Sequence, residues 1–144
     1  MIKKITTEKD IPFPDFRVKI GTIDRKNPET IYIECGTYIK PKEQKKSYID
    51  DVHEIKKIIR DNIKNMLHDN ELFTTDYICT IDIPIERITP NRKTFMSFDY
   101  TLKQKNNIQF YDLIKEHKSF VDKILNDLAE TLIDFGFILS KGKK

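Results

Sequence analysis

The alternation of apolar and polar positions divides the chain into recognisable elements. Residues 31–39 alternate strictly: Ile31, Ile33, Cys35 and Ile39 share one face, and Tyr32, Glu34 and Tyr38 share the other. A period of two predicts a strand with two different sides. Residues 17–24 read as a preceding strand with a bulge at Gly21, and the Asn27-Pro28 turn makes the pair a hairpin. A second hairpin is predicted from residues 77–87 and 94–105. Its first strand carries Cys79, Ile81, Ile83 and Ile85 on one side, and Pro84 places it at an edge or ends it there. Its second strand sets Met96, Phe98, Tyr100 and Leu102 against a wet face of Ser97, Asp99, Thr101 and Lys103.

Between the hairpins the period changes to three and four. Val52, Ile55, Ile59, Ile63 and Met66 make the apolar stripe of a helix that Ser47 opens as a cap, with Asp50 three residues on. A helical pattern returns near Phe110. Ser119 followed by Asp122 resembles a fresh cap, so a break is predicted near His117-Lys118. The last helix carries Phe120, Ile124, Leu128 and Leu132, with Val121 and Leu125 alongside, and Gly136 is the expected left-handed residue after its end. The order ββαββα(α) is that of an α+β domain: a four-stranded, mainly antiparallel sheet with two or three helices on one face. Residues 1–16 precede it as a Pro- and aromatic-containing arm, and residues 17–144 form one domain.

Composition narrows the function. The 144 residues hold 23 Ile and 21 Lys but only 5 Arg and one Ala, a usage typical of an AT-rich genome such as that of many phages or low-GC bacteria. Lysine is therefore the default surface residue, and each lysine carries little functional information. Twenty-six cations face 23 anions, for a net charge of +3. That balance permits nucleic-acid contact without demanding it. No apolar run has membrane-spanning length and the N-terminus has no apolar leader, so a location in the cytoplasm (of a host, or in a virion) and no membrane partner are expected. Cys35 and Cys79 read as reduced structural thiols. His53, His68 and His117 lack metal-ligand spacing and read as surface residues. No Gly-rich phosphate loop or nucleophile motif is present, so no cofactor and no catalytic residue are expected.

Three groups of residues are candidates for binding. Lys42, Lys45 and Lys46 form a basic loop, and Lys56, Lys57, Arg60 and Lys64 a basic stripe on the first helix; together they could track phosphates. Asp127, Glu130 and Asp134 form an acidic stripe on the last helix, suited to a basic partner surface. Ile11, Phe13 and Phe16 form an apolar cluster stiffened by Pro12 and Pro14, suited to docking on another chain.

From the basic loop onward, the layout of strand, loop, helix, strand and a helix opening on an acidic motif resembles the RusA-type Holliday-junction endonucleases. Phe120-Val121-Asp122-Lys123 stands where that family opens its helix on Asp-x-Asp-Asn, and Gly136-Phe137-Ile138-Leu139-Ser140-Lys141 stands where it carries a later Asp pair. The resemblance implies a metal-dependent nucleic-acid enzyme with Asp122 as a metal ligand. With Asp122 the one aligned carboxylate, it implies a degenerate relative that binds. The leading expectation is a non-enzymatic assembly or interaction subunit, with protein partners or self-association, plausible as a phage structural or accessory protein. The alternative is a nucleic-acid-binding accessory protein.

Overall fold

The computed structural model describes residues 9–12, 16–22, 29–68, 70–105 and 110–139, without the side chains of 9–12, 110–114 and 116. Its strands are β1 (Lys9–Pro12), β2 (Arg17–Thr22), β3 (Thr30–Pro41), β4 (Phe73–Asp82), β5 (Thr94–Gln104) and β6 (Phe137–Leu139); its helices are α1 (Ile49–His68) and α2 (Phe110–Asp134). The fold is α+β. The two expected hairpins, β2–β3 and β4–β5, join through β3 and β5 into an antiparallel sheet of order β1-β2-β3-β5-β4.

The sheet has six strands rather than four. β1 pairs with β2, Ile11 opposite Val18, and so draws residues 9–12 of the expected arm into the sheet. β6 pairs with Ile39–Pro41 at the end of β3. β5 already occupies the other edge of β3 there, so β2 and β6 share one edge of the same 12-residue strand. Gly21 is paired in regular register with Tyr32 and makes no bulge. Its lack of a side chain serves a close approach instead: a Cβ there would lie 2.6 Å from the Tyr32 hydroxyl. The register irregularity falls between Phe73 and Tyr77 of β4.

The period-two faces are as the sequence requires. Ile31, Ile33, Cys35 and Ile39 of β3 and Met96, Phe98, Tyr100 and Leu102 of β5 are buried beneath the helices. α1 contributes Val52, Ile55, Ile59, Ile63 and Leu67; α2 contributes Phe120, Val121, Ile124, Leu125, Leu128 and Leu132. The Ser47 hydroxyl accepts a hydrogen bond from the Ile49 N–H at 3.2 Å and helps start α1. α2 ends at Gly136, φ 89°, whose N–H donates to the Ile133 carbonyl at 2.9 Å.

Two expectations about α2 are corrected. The helix runs unbroken from Phe110 to Asp134, and Ser119 is an exposed residue within it. His117 is not on the surface but fully buried, one turn before Phe120 and Val121 on the same apolar stripe. Its Nε2 lies 2.6 Å from the Tyr100 hydroxyl, and its ring meets Phe73 and Phe120. Burial lowers its pKa from 6.5 to about 3, so the imidazole is neutral. Its Nδ1 has no hydrogen-bond partner among the described residues.

Candidate nucleic-acid interface

With both helices on one side, the even-numbered residues of β3 and their cross-strand partners form the other face of the sheet. Across it runs the row Lys19, Glu34, Asp99, Thr80, and beside that Arg17, Gly36, Ser97, Asp82. One row further lie Tyr38 and Phe95, directly opposite each other, each 45% exposed. Their rings meet edge to face with centroids 5.1 Å apart. Phe95 lies over the backbone of Gly36: a Cβ on Gly36 would sit 2.1 Å from the far carbon of its ring. Glycine there lets the ring rest on the sheet with part of its surface turned to solvent.

Beside Phe95 is an open cleft of about 440 Å³, lined by Pro84, Arg87, Arg92, Lys93, Thr94 and Phe95. Three cations line it and no carboxylate does. None of the three makes an ion pair among the described residues, and all are exposed. The backbone beneath them is held at several points. Residues Ile85–Arg87 form one 3-10 turn, closed by the Arg87 N–H on the Pro84 carbonyl at 3.0 Å. The Thr94 hydroxyl donates to the Arg87 carbonyl at 3.1 Å, and Thr89 bridges to Arg92. The site therefore sets a half-exposed aromatic ring beside guanidinium and ammonium groups that make no ion pair among the described residues.

The basic loop predicted from sequence lies at this same end of the sheet, because β3 leaves it and β5 enters it. Tyr48 shapes that loop: its hydroxyl donates to the Glu43 carbonyl at 2.9 Å and accepts from the Lys45 N–H at 3.1 Å. Lys42 and Lys46 are exposed, whereas Lys45 is engaged with Asp51 at 2.6 Å. The helical stripe is elsewhere. Lys56, Lys57, Arg60 and Lys64 lie on α1, in the layer behind the sheet, so they and the aromatic face do not form one surface. Lys57 pairs with Asp61 at 3.7 Å, and the Tyr77 hydroxyl donates to the Arg60 carbonyl at 3.4 Å.

The other candidates are also placed. Asp127 pairs with Lys123 on its own helix at 3.9 Å, and Glu130 and Asp134 are exposed on α2. Asp122 pairs with Lys118 at 3.6 Å and stands well inside α2, not at a helix opening. No three His, Cys, Asp or Glu side chains come together as a metal site among the described residues. Phe16 requires correction as a docking residue: it is 6% exposed and belongs to the chain's own core, so a partner cannot reach it. Ile11 is in β1, with its backbone opposite Val18. Phe13 lies outside the described residues. No described helix is long and apolar enough to cross a membrane.

No family model, curated protein or solved structure matches the chain. The functional reading therefore rests on the geometry.

Reasoning from sequence passed over Tyr38, Arg87, Arg92, Lys93 and Phe95 as a group. A signal for them was present. Phe95 occupies the wet phase of β5, alongside Ser97, Asp99 and Thr101, where an aromatic serves no core. Arg87 and Arg92 are two of only five arginines in a chain that otherwise defaults to lysine.

The two thiols behave differently from a redox pair. Cys35 is opposite Phe98 and Cys79 opposite Tyr100, so β5 lies between their strands. Two strand spacings are about 10 Å, beyond the roughly 7 Å limit for a disulfide. Burial pushes the Cys35 thiol far up, and pushes Cys79 up to about 11 against a smaller opposing effect of Arg60. In the native protein at pH 8, a thiol reagent should label Cys79 slowly and Cys35 only on unfolding. Rapid labelling of both would mean that the β4–β5 region opens readily.

Proposed function

We propose that this protein binds single-stranded nucleic acid at the Tyr38–Phe95 end of its open sheet face. The observation that carries the reading is the Phe95 ring, laid over Gly36 and bordered by Arg87, Arg92 and Lys93. A base can stack on an exposed aromatic whatever its sequence, and adjacent cations meet the phosphates on either side of it. Arginine suits this role because its planar guanidinium pairs with phosphate and also stacks. Lys42 and Lys46 extend the basic margin. The resemblance to RusA-type endonucleases is compatible with a nucleic-acid partner, but Asp122 is engaged with Lys118, so the reading is of binding without a cleavage step. Service to a phage, in its host's cytoplasm or its virion, belongs to the same proposal and rests on the AT-rich usage.

Fluorescence anisotropy with a labelled oligonucleotide of about a dozen nucleotides tests it. Three phosphate contacts give a slope of log K against log salt of roughly −2 for a single strand. Phe95→Ala should cost about 1–3 kcal/mol of binding, the usual worth of one stacked base. Gly36→Ala should cost a similar amount with every ring intact, because its methyl group displaces Phe95 from the sheet. Since that ring is half-exposed and free to swing, folding should be little affected. Binding that is unchanged in both variants, or competed better by duplex than by single strand, contradicts the proposal.

A further inference from the structure

The sheet has two edges, and they are defended differently. β1 is four residues long and carries Lys9 and Pro12, two residue types that discourage a further strand from adding. β4 is ten residues long, Phe-Thr-Thr-Asp-Tyr-Ile-Cys-Thr-Ile-Asp, with no lysine, proline or glycine. Among the described residues it pairs only with β5, and from Tyr77 to Asp82 that pairing is regular. Its other side therefore presents a row of backbone donors and acceptors. Ile78, on the open face of this edge strand, is 68% exposed, the most exposed of the large apolar side chains described.

We propose that this edge pairs antiparallel with the same edge of a second copy, about a two-fold axis at Ile78. The occupant follows from the pattern of side chains, because in this register β4 complements itself. Ile78 faces its own copy, Tyr77 faces Cys79, Asp76 faces Thr80 and Asp82 faces Thr74. Directly opposed side chains interact across an antiparallel pair: apolar pairs stabilise and like charges destabilise. A two-fold axis at Cys79 would set Asp76 against Asp82, and one at Thr80 would set Ile78 against Asp82. Only the Ile78 register of these three covers the exposed isoleucine with an apolar partner and opposes no two carboxylates. Closed two-fold pairing is also the commonest arrangement of soluble oligomers. The product is a continuous sheet across both chains, with the two helical layers on one side and the two open faces on the other. Neither the aromatic surface nor the cations of the Phe95 cleft take part, so the inference stands apart from nucleic-acid binding.

Sedimentation velocity of the wild-type chain across a concentration series should show a dimer. Ile78→Lys should weaken the dimer at least tenfold while leaving the circular dichroism spectrum unchanged, since that side chain is outside the core. Register is read by cross-linking in a Cys79→Ser background. Opposed residues lie about 4.5–5.5 Å apart at Cα, within disulfide range, so Ile78→Cys should give a covalent dimer on mild oxidation. Thr80→Cys should not, because each Thr80 faces Asp76, about four residues along the strand from its own copy and therefore roughly 13 Å away. A wild-type chain that stays monomeric at high micromolar concentration overturns the inference. So does a Thr80→Cys variant that cross-links as fast as Ile78→Cys, because it places the axis elsewhere. Loss of oligonucleotide binding in Phe95→Ala with the dimer intact would separate the two readings.

Discussion

Stability should fall steeply as the pH is lowered from about 6.5 toward 3, and His117 is the main single cause. The folded chain holds its imidazole neutral because burial lowers the pKa from 6.5 to about 3. Within that interval the unfolded chain takes up a proton that the folded chain refuses. Stability therefore rises with pH across the window, by about 1.4 kcal/mol per unit where only the unfolded form is protonated. Above 6.5 both forms are neutral and the contribution is flat. Across the whole window the loss is on the order of 4–5 kcal/mol, a large part of a typical domain's stability. The surroundings explain the size of the effect. Tyr100 offers a hydroxyl at 2.6 Å, but Phe73 and Phe120 supply only ring surface, and among the described residues no carboxylate pairs with the ring to balance a positive charge. Urea unfolding at a series of pH values measures it. In the double variant Tyr100→Phe/His117→Leu, which removes both polar groups together, the slope between pH 4.5 and 6 should largely disappear. An unchanged slope in that variant would falsify the assignment to His117.

Phe73→Ala should destabilise the fold by about 3–5 kcal/mol, the range for deleting a fully buried phenylalanine. Phe73 is completely buried, with its ring 5.3 Å from His117 and 5.9 Å from Phe120, so one truncation empties the contact between β4 and α2. The backbone cannot close the gap easily, because the Phe73 N–H is held by the Asn70 side chain at 2.7 Å. The urea midpoint should drop with little change in its m-value, as expected for lost stability rather than a changed unfolded state. Phe95→Ala provides the contrast. That ring supports no core, so its removal should change stability by no more than about 0.5 kcal/mol. The two phenylalanines, one on each side of the sheet, thus separate packing from binding.

Much of this was legible along the chain because periodicity is a local record of which side faces the core. The alternation in residues 31–39 and 94–105 put the correct side of β3 and β5 inward, and the three-four spacing did the same for α1 and the second half of α2. The glycine after α2 was also legible, since a left-handed residue there excludes a side chain at low cost. The break expected near His117-Lys118, on the strength of Ser119, is absent for a physical reason. A serine with an acid three residues on is a capping signal only where the helix starts, and an exposed serine inside a helix costs little. His117 had a signal that was passed over: it sits three and four residues before Phe120 and Val121 on the buried stripe.

What the sequence by itself determined is the inward and outward face of each long element, and with it the α+β class, because burying apolar side chains is a periodic requirement that each segment meets alone. What the tertiary structure alone decided is everything that joins distant segments. It added β1 to the free edge of β2, and it added β6 beside β2 because β3 is long enough to offer one edge to two partners. It brought Tyr100 against His117 and laid Phe95 over Gly36. It gathered Arg87, Arg92 and Lys93 beside that ring and left β4 as the open edge. These depend on strand order and register, which backbone pairing between remote residues fixes and no local period encodes.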